Sequence, residues 1–350
     1  MVRNDIDKVL SRTKQFNKAK TGVLIQIKNI SEIESPSKPL NSFKLPYNME
    51  EYLDYRIESF LNYWNRRKDI SDDLLPALAP WYGIAEHTAF VGGKVDFSEE
   101  TSWHHQVMKT YDDINRISLD ENNIYLKLVI NGLKYIKEKA RGRFFTKFRG
   151  ADGPMDIANV IRGNDMFYDI YEHPDELKNL MEFCSKAVMF TLNKQKEIVD
   201  VVGGGIITGF DVWMGKGSVG HISEDASTMI SVEQYNEFGR PYTYNVTKNY
   251  DHVFMHIHSL GEHNLPSIVS IDNIDVVEIS NDPNSKRAIE IYKEYREFLK
   301  NKVVCVLLTK KEIMDNIEFL KKHKTIIWHE ASSIKEALEV IAISRNIEYT

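Results

Sequence analysis

Cysteine is nearly absent. The chain has 350 residues and only two cysteines, Cys184 and Cys305. No disulfide framework can be built from that pair, and such sparing thiol usage fits a reducing cytoplasm. No window approaches the roughly 20 consecutive apolar residues of a membrane span. The amino-terminal stretch MVRNDIDKVLSRTKQFNKAK is polar and charged, without the apolar centre of a secretory signal. The expectation is a cytoplasmic protein with no membrane segment. Basic blocks are missing as well. The net charge is −6 and the signs are interspersed, which argues against general nucleic-acid binding. Internal repeats and low-complexity segments are absent. So is a GxGxxG at a strand-to-helix turn. The GGG at 203–205 precedes its apolar run and is no phosphate loop, which weakens a dinucleotide-binding fold.

What is present is a globular pattern. Hydrophobic residues make up 42% and charged residues 27%, enough for a substantial core. Eight short apolar runs recur, at 22–29, 74–83, 143–150, 203–213, 252–261, 274–282, 302–310 and 324–332. Most are nearly continuous, as strands buried on both faces should be. Helical stretches lie between them. HPDELKNLMEFCSKAVMFTLNKQKEIV opens with Pro174 and acids in its first turn, and SSIKEALEVIAISRN is amphipathic. Strands alternating with helices imply a parallel sheet with right-handed crossovers. Eight such units predict a (β/α)₈ TIM barrel as one domain over residues 1–350. It carries a helical amino-terminal extension at 1–20 and an insertion between the second and third strands. A doubly wound open sheet is the alternative.

The most informative stretch is VFMHIHSLGEH, from Val253 to His263. In a strand, residues two apart face the same side, about 7 Å apart. His256 and His258 therefore point together at the C-terminal end of the fifth run, where barrel enzymes keep their chemistry. Two imidazoles at that spacing can converge on one zinc ion, which in a catalytic site takes a third protein ligand and keeps an open position. Three places can supply that ligand. WHEASS ends the eighth run with His329 and Glu330. VVEISND carries Glu278 among apolar residues, with Ser280 and Asp282 on its side. HISEDAS offers Glu224 and Asp225, which can also manage a proton. Cys305, inside VVCVLL, and Cys184, on a helix, read as packing thiols. Other polar groups gather at predicted strand ends. Asp152 sits in GADGPMD, whose glycines would let backbone approach a ligand. In TSWHHQV, Trp103 could stack on a flat substrate and His104 could hydrogen-bond it, while His105 reads as a surface histidine.

Beyond these residues the chain resembles a family. RGNDMFYDIYEHPDELKNLM is similar to the Asp-then-Pro helix entry of the uroporphyrinogen decarboxylase superfamily. EDASTMISVEQYNEFGRPY resembles that superfamily's acidic pair followed by Ser-x-x-x-Tyr/Phe and Pro-Tyr. HIHSLG matches by order the His-x-Cys zinc motif of its corrinoid-dependent methyltransferase branch. The resemblance covers roughly residues 75–340, and order and spacing carry it more than any one motif. It implies a TIM barrel.

Two departures shape the expected function. The Arg-rich stretch that follows the first strand of true uroporphyrinogen decarboxylases is missing; the first run continues IQIKNISEIESPSKP. Porphyrinogen decarboxylation is therefore not expected. The branch's His-x-Cys and later Cys are replaced by His256-x-His258 and His329-Glu330. Imidazoles leave a zinc more electron-poor than thiolates do, hence a better Lewis acid toward oxygen or nitrogen. The resemblance thus implies methyl transfer from a small O- or N-methylated substrate to a corrinoid. No Asp-x-His-x-x-Gly corrinoid motif is present, so the corrinoid would ride on a partner protein. A metal-assisted decarboxylase of a small acid and a non-catalytic ligand-binding protein are the alternatives.

Overall fold

A computed structural model describes residues 1–85, 88–347 and 349. Eight parallel strands form its centre: β1 Gly22–Ile30, β2 Ala77–Leu78, β3 Phe145–Thr146, β4 Ser218–Ser223, β5 His252–Ile257, β6 Ile274–Ile279, β7 Val303–Leu307 and β8 Lys324–Ala331. Six of them make a continuous sheet in the order β1-β8-β7-β6-β5-β4. β2 pairs with β3. The ring closes at two seams. Ala151, just past β3, donates its N–H to His221 O of β4 at 3.0 Å. Asp73, just before β2, donates to Ile25 O of β1 at 2.7 Å. This is the (β/α)₈ barrel that eight apolar runs predict.

The seam beside β1 is sealed by side chains. β2 spans two residues and cannot satisfy the amides along β1. Carboxylates take its place: Asp73 Oδ2 accepts from Ile25 N at 2.9 Å and Asp72 Oδ2 from Ile27 N at 2.8 Å. Both acids are fully buried, so each needs a cation. Arg67, only 1% exposed, donates to Asp72 Oδ2 at 2.7 Å and to Ile27 O at 2.9 Å, and Arg3 bonds Asp72 Oδ1 at 2.9 Å. Arg12 and Arg345 bond Asp73.

The fourth run differs from its expected role. Residues 203–213 form an antiparallel pair, Ile206–Ile207 with Trp213–Met214, and the strand beside β5 is Ser218–Ser223. The backbone explains the difference. Gly203 and Gly204 have positive φ and turn the chain before the run. Asp211, with φ 65°, turns it back between the two short strands. The run is apolar because it plugs the barrel. Phe210 stacks on Trp328 of β8 at 5.7 Å, and on Phe254 and His256 of β5 at 5.3 and 5.1 Å. Asp211 beside it accepts from Lys28 Nζ at 2.9 Å and also bonds Lys147.

Helices cover the ring. α1 (Ile6–Lys18) packs on β1 as the amino-terminal extension. α2 (Met49–Arg66) and α3 (Ile124–Ala140) enclose a second apolar cluster with Leu53, Tyr82 and Phe144. The segment between β2 and β3 also holds a hairpin, Val95–Phe97 with Ser102–His104. α4 (Pro154–Arg162), α5 (Asp165–Glu172) and α6 (Pro174–Lys196) follow β3. Among the described residues no helix is long and apolar enough to cross a membrane.

Removing Asp72 strands a buried guanidinium and an N–H of β1. Asp72→Ala should therefore lose about 3–5 kcal/mol of stability in a denaturant titration. A loss under about 1 kcal/mol would show that the carboxylate is not what seals the seam.

Candidate metal centre

β5 ends at Ile257, and His258 starts the 3-10 turn Ser259–Asn264. Alternation persists to that point, so both imidazoles face the barrel mouth, their ring centroids 5.0 Å apart. The next strand orients them. His256 and Glu278 are register partners across β5 and β6, and His256 Nδ1 bonds Glu278 Oε2. His258 Nδ1 bonds Asp282 Oδ1 at 2.6 Å. Asp282 is itself fixed by Ser259 Oγ at 2.9 Å, Leu260 N at 3.1 Å and Ser280 Oγ at 3.0 Å. With each Nδ1 engaged, each Nε2 points inward. Asp225 meets them there, 3.7 Å from His256 Nε2 and 3.4 Å from His258 Nε2.

Asp225 is held out on a short turn, Asp225–Met229, that follows β4. Asp156 of α4 pins that turn from below, accepting from Ser223 Oγ at 2.6 Å and Ala226 N at 2.7 Å. Burial and the neighbouring Asp225 push Asp156 up to about 6. Glu224 is buried and bonded by Thr243 Oγ1, and burial pushes its carboxyl well up.

Asp225, His256 and His258 present ligand atoms that all lie within 4.8 Å of one another. The charge balance suits a cation. Three carboxylates (Asp225, Glu278 and Asp282) surround two imidazoles. The hydrogen bond with Asp225 raises His258 to about 9 against the effect of burial, and Asp282 adds to it. Burial disfavours the charged form of His256, but Glu278 outweighs it and raises that group too. Asp282 is held at about 2, its burial overcome by His258 and its donors. A divalent ion bound by these imidazoles would have to displace the Nε2 protons and take over their charge, so its affinity would fall as pH falls. Carboxylate-oriented histidines are the usual surroundings of such an ion.

The other residues singled out by sequence fall elsewhere. Glu278 contacts His256 Nδ1 rather than joining the three converging atoms. His329 is 2% exposed, and its Nδ1 bonds Leu308 O at 2.8 Å, with Nε2 3.6 Å from Glu336 of the last helix. Period-two alternation turns Trp328 into the barrel and His329 out toward the helices. Glu330 is exposed at the end of β8. His104 is locked between Thr88 Oγ1 at 3.1 Å and Gly92 O at 2.6 Å, and burial lowers it to about 4. His105 lies outside, 2.7 Å from Asp96. Trp103 is 57% exposed on the hairpin. Asp152 is half-buried just past the Ala151 seam. The glycines around it admit protein. A Cβ on Gly150 would meet the His221 ring at 2.3 Å, and one on Gly153 would meet Ser223 O at 2.0 Å. Cys184 and Cys305 are fully buried and free, and neither joins the cluster. Phe210, Asp156 and Lys28 went unnoticed in the sequence. Lys28 had a legible signal, since Gln26 and Lys28 are polar at alternate positions of an otherwise apolar strand.

A family model described as Uroporphyrinogen decarboxylase (URO-D) matches residues 82–306. That span includes Asp225, His256, His258, Glu278 and Asp282. A search of curated proteins returns no match.

If the carboxylates behind the imidazoles set their direction, Glu278→Gln and Asp282→Asn should each weaken zinc binding about 10–100-fold in competition with a chromophoric chelator, with far-ultraviolet circular dichroism unchanged. His256→Ala should lose stoichiometric zinc altogether. Unaltered affinity in both carboxylate variants would show that these groups do not orient the ligands.

Proposed function

The chain belongs to the uroporphyrinogen decarboxylase family, and from that premise we propose that it moves a methyl group from a small O- or N-methylated compound to a corrinoid carried by a partner protein, with zinc held by Asp225, His256 and His258. The observation that carries this reading is the donor set: two carboxylate-oriented imidazoles and one carboxylate, with no thiolate. A zinc ion in such a set is a Lewis acid for an oxygen or nitrogen of the substrate, making that atom a better leaving group. The protein's own groups do the rest. Glu278 and Asp282 keep a proton on each Nδ1, so each Nε2 lone pair faces the mouth. Asp156 keeps Asp225 in line with both. Of the two neighbouring acids, Asp225 faces the imidazoles, while Glu224 lies buried behind the turn against Thr243. Asp152, which follows β3 at the same end of the barrel as Asp225 follows β4, remains the proposed substrate contact, while Trp103 stands exposed on the hairpin between β2 and β3.

A partner must reach this rim. Beside Asp225 a groove of about 710 Å³ is lined by Phe167, Tyr168, Tyr171 and Met229. The last three are more than half exposed, an apolar surface suited to docking at the mouth. The two buried thiols agree with a cytoplasmic setting. Metal-assisted decarboxylation of a small acid is the second reading. The family's description favours it, as do two inward lysines, Lys28 and Lys147, near the plug.

The test is to mix zinc-loaded protein with cob(I)alamin and a panel of methoxyarenes and methylamines. Methylcobalamin absorbance should appear with at least one donor and disappear with His258→Ala. If no donor works, even with a cognate corrinoid protein, methyl transfer is wrong. Carbon dioxide release from a panel of small acids would then support the second reading.

A further inference from the structure

The opposite end of the barrel carries a cavity that the metal centre does not use. It measures about 560 Å³, inside the roughly 300–1,000 Å³ range of small-molecule sites. Its walls are the first residues of the strands, the hairpin after Gly204, and α1, which lies across the opening. Three features of its lining point to a ligand.

The body of the cavity is apolar, with Leu24, Val212, Trp213 and Ile326 among its walls. The inner end is polar and unsatisfied. Gln26 Oε1 and Ser218 Oγ have no hydrogen-bond partner among the described residues, although Gln26 is 3% and Ser218 1% exposed. Gln26 gives one amide N–H to Asp211 O at 2.9 Å, which leaves its side-chain oxygen without a donor. A buried acceptor without a donor is a costly arrangement.

The outer rim is basic. Lys14, Lys18, Lys216 and Lys324 line it. Two acids of the same wall are already neutralised, Asp73 by Arg12 and Arg345 and Asp211 by Lys28 and Lys147, while Asp275 bonds the His252 ring at 2.5 Å. Lys14, Lys18 and Lys216 make no ion pair among the described residues, and Lys14 Nζ stands 5.9 Å from the Trp213 ring.

We propose that this amino-terminal mouth binds a small amphipathic organic anion. Its acidic group would lie among the rim lysines, its apolar body along Trp213, and a hydrogen-bond donor at its inner end would reach Gln26 and Ser218. Chemistry in this fold sits at the other mouth, so the ligand is not a substrate of the metal centre.

Anilinonaphthalene sulfonate tests this, with phenylnaphthylamine as the same ring system lacking the anion. The intact protein should bind the sulfonate saturably, one per chain, with energy transfer from tryptophan. The neutral probe should bind about tenfold more weakly. Gly215→Trp should abolish sulfonate binding. A Cβ there meets nothing within 4 Å, so the side chain can fold into the cavity without displacing backbone. Lys14→Glu with Lys216→Glu should weaken it about tenfold while leaving the thermal midpoint unchanged. His256→Ala should have no effect on it. Equal binding of both probes, unsaturable binding, no binding, survival of binding in Gly215→Trp, or loss in His256→Ala would each overturn the proposal.

Discussion

Two hydrogen bonds between neighbouring loops and strands set the chemistry of the C-terminal mouth: Glu278 on His256, and Asp282 on His258. Each depends on register. Parallel pairing places Glu278 beside His256, and a slip of one residue would put Val277 there and send the carboxylate to the other face. Each also explains a residue that is otherwise out of place. A carboxylate within the apolar β6 is unfavourable unless it is bonded. Here it fixes which imidazole nitrogen stays available. Asp225 then has a defined target, because both Nε2 atoms converge on the point where its turn delivers it.

The barrel is built to keep its two ends apart. Phe210 lies between Trp328 on one side and Phe254 and His256 on the other. Asp211, next to it, holds Lys28 and Lys147 across the interior. This plug backs the histidine pair and also forms part of the cavity wall at the far mouth. Where backbone pairing is short, ionised side chains close the ring. Asp72 and Asp73 cap the amides of β1, and arginines from α1, the end of α2 and the last helix neutralise them.

Much of this is legible in the sequence. Apolar runs alternating with amphipathic helices are a direct consequence of strands buried on both faces, so the barrel could be read. His256 and His258 could be read because alternation is local. The third converging group was harder. Asp225 was one of several acids at predicted strand ends, and nothing within HISEDAS separates it from Glu224. Burial separates them: one faces the imidazoles, and the other is turned into Thr243. His329 misled because the end of a strand was visible while its inward face was not. β4 was missed because GSVGHIS is short and glycine-containing, whereas the plug before it is long and apolar for a different reason. Asp156, Asp72 and Phe210 act through contacts with residues more than forty positions away in sequence, which no local pattern reports.

Two imidazoles and one carboxylate, with no sulfur, are the proposed ligands of a metal at the C-terminal mouth. X-ray absorption at the zinc edge of the loaded protein tests this set most directly. The expected spectrum has first-shell scatterers only at about 2.0–2.2 Å, with the outer-shell pattern of two imidazoles. His258→Ala, like His256→Ala, should not retain stoichiometric zinc. A sulfur shell at about 2.3 Å, or a spectrum without imidazole scattering, would rule this ligand set out.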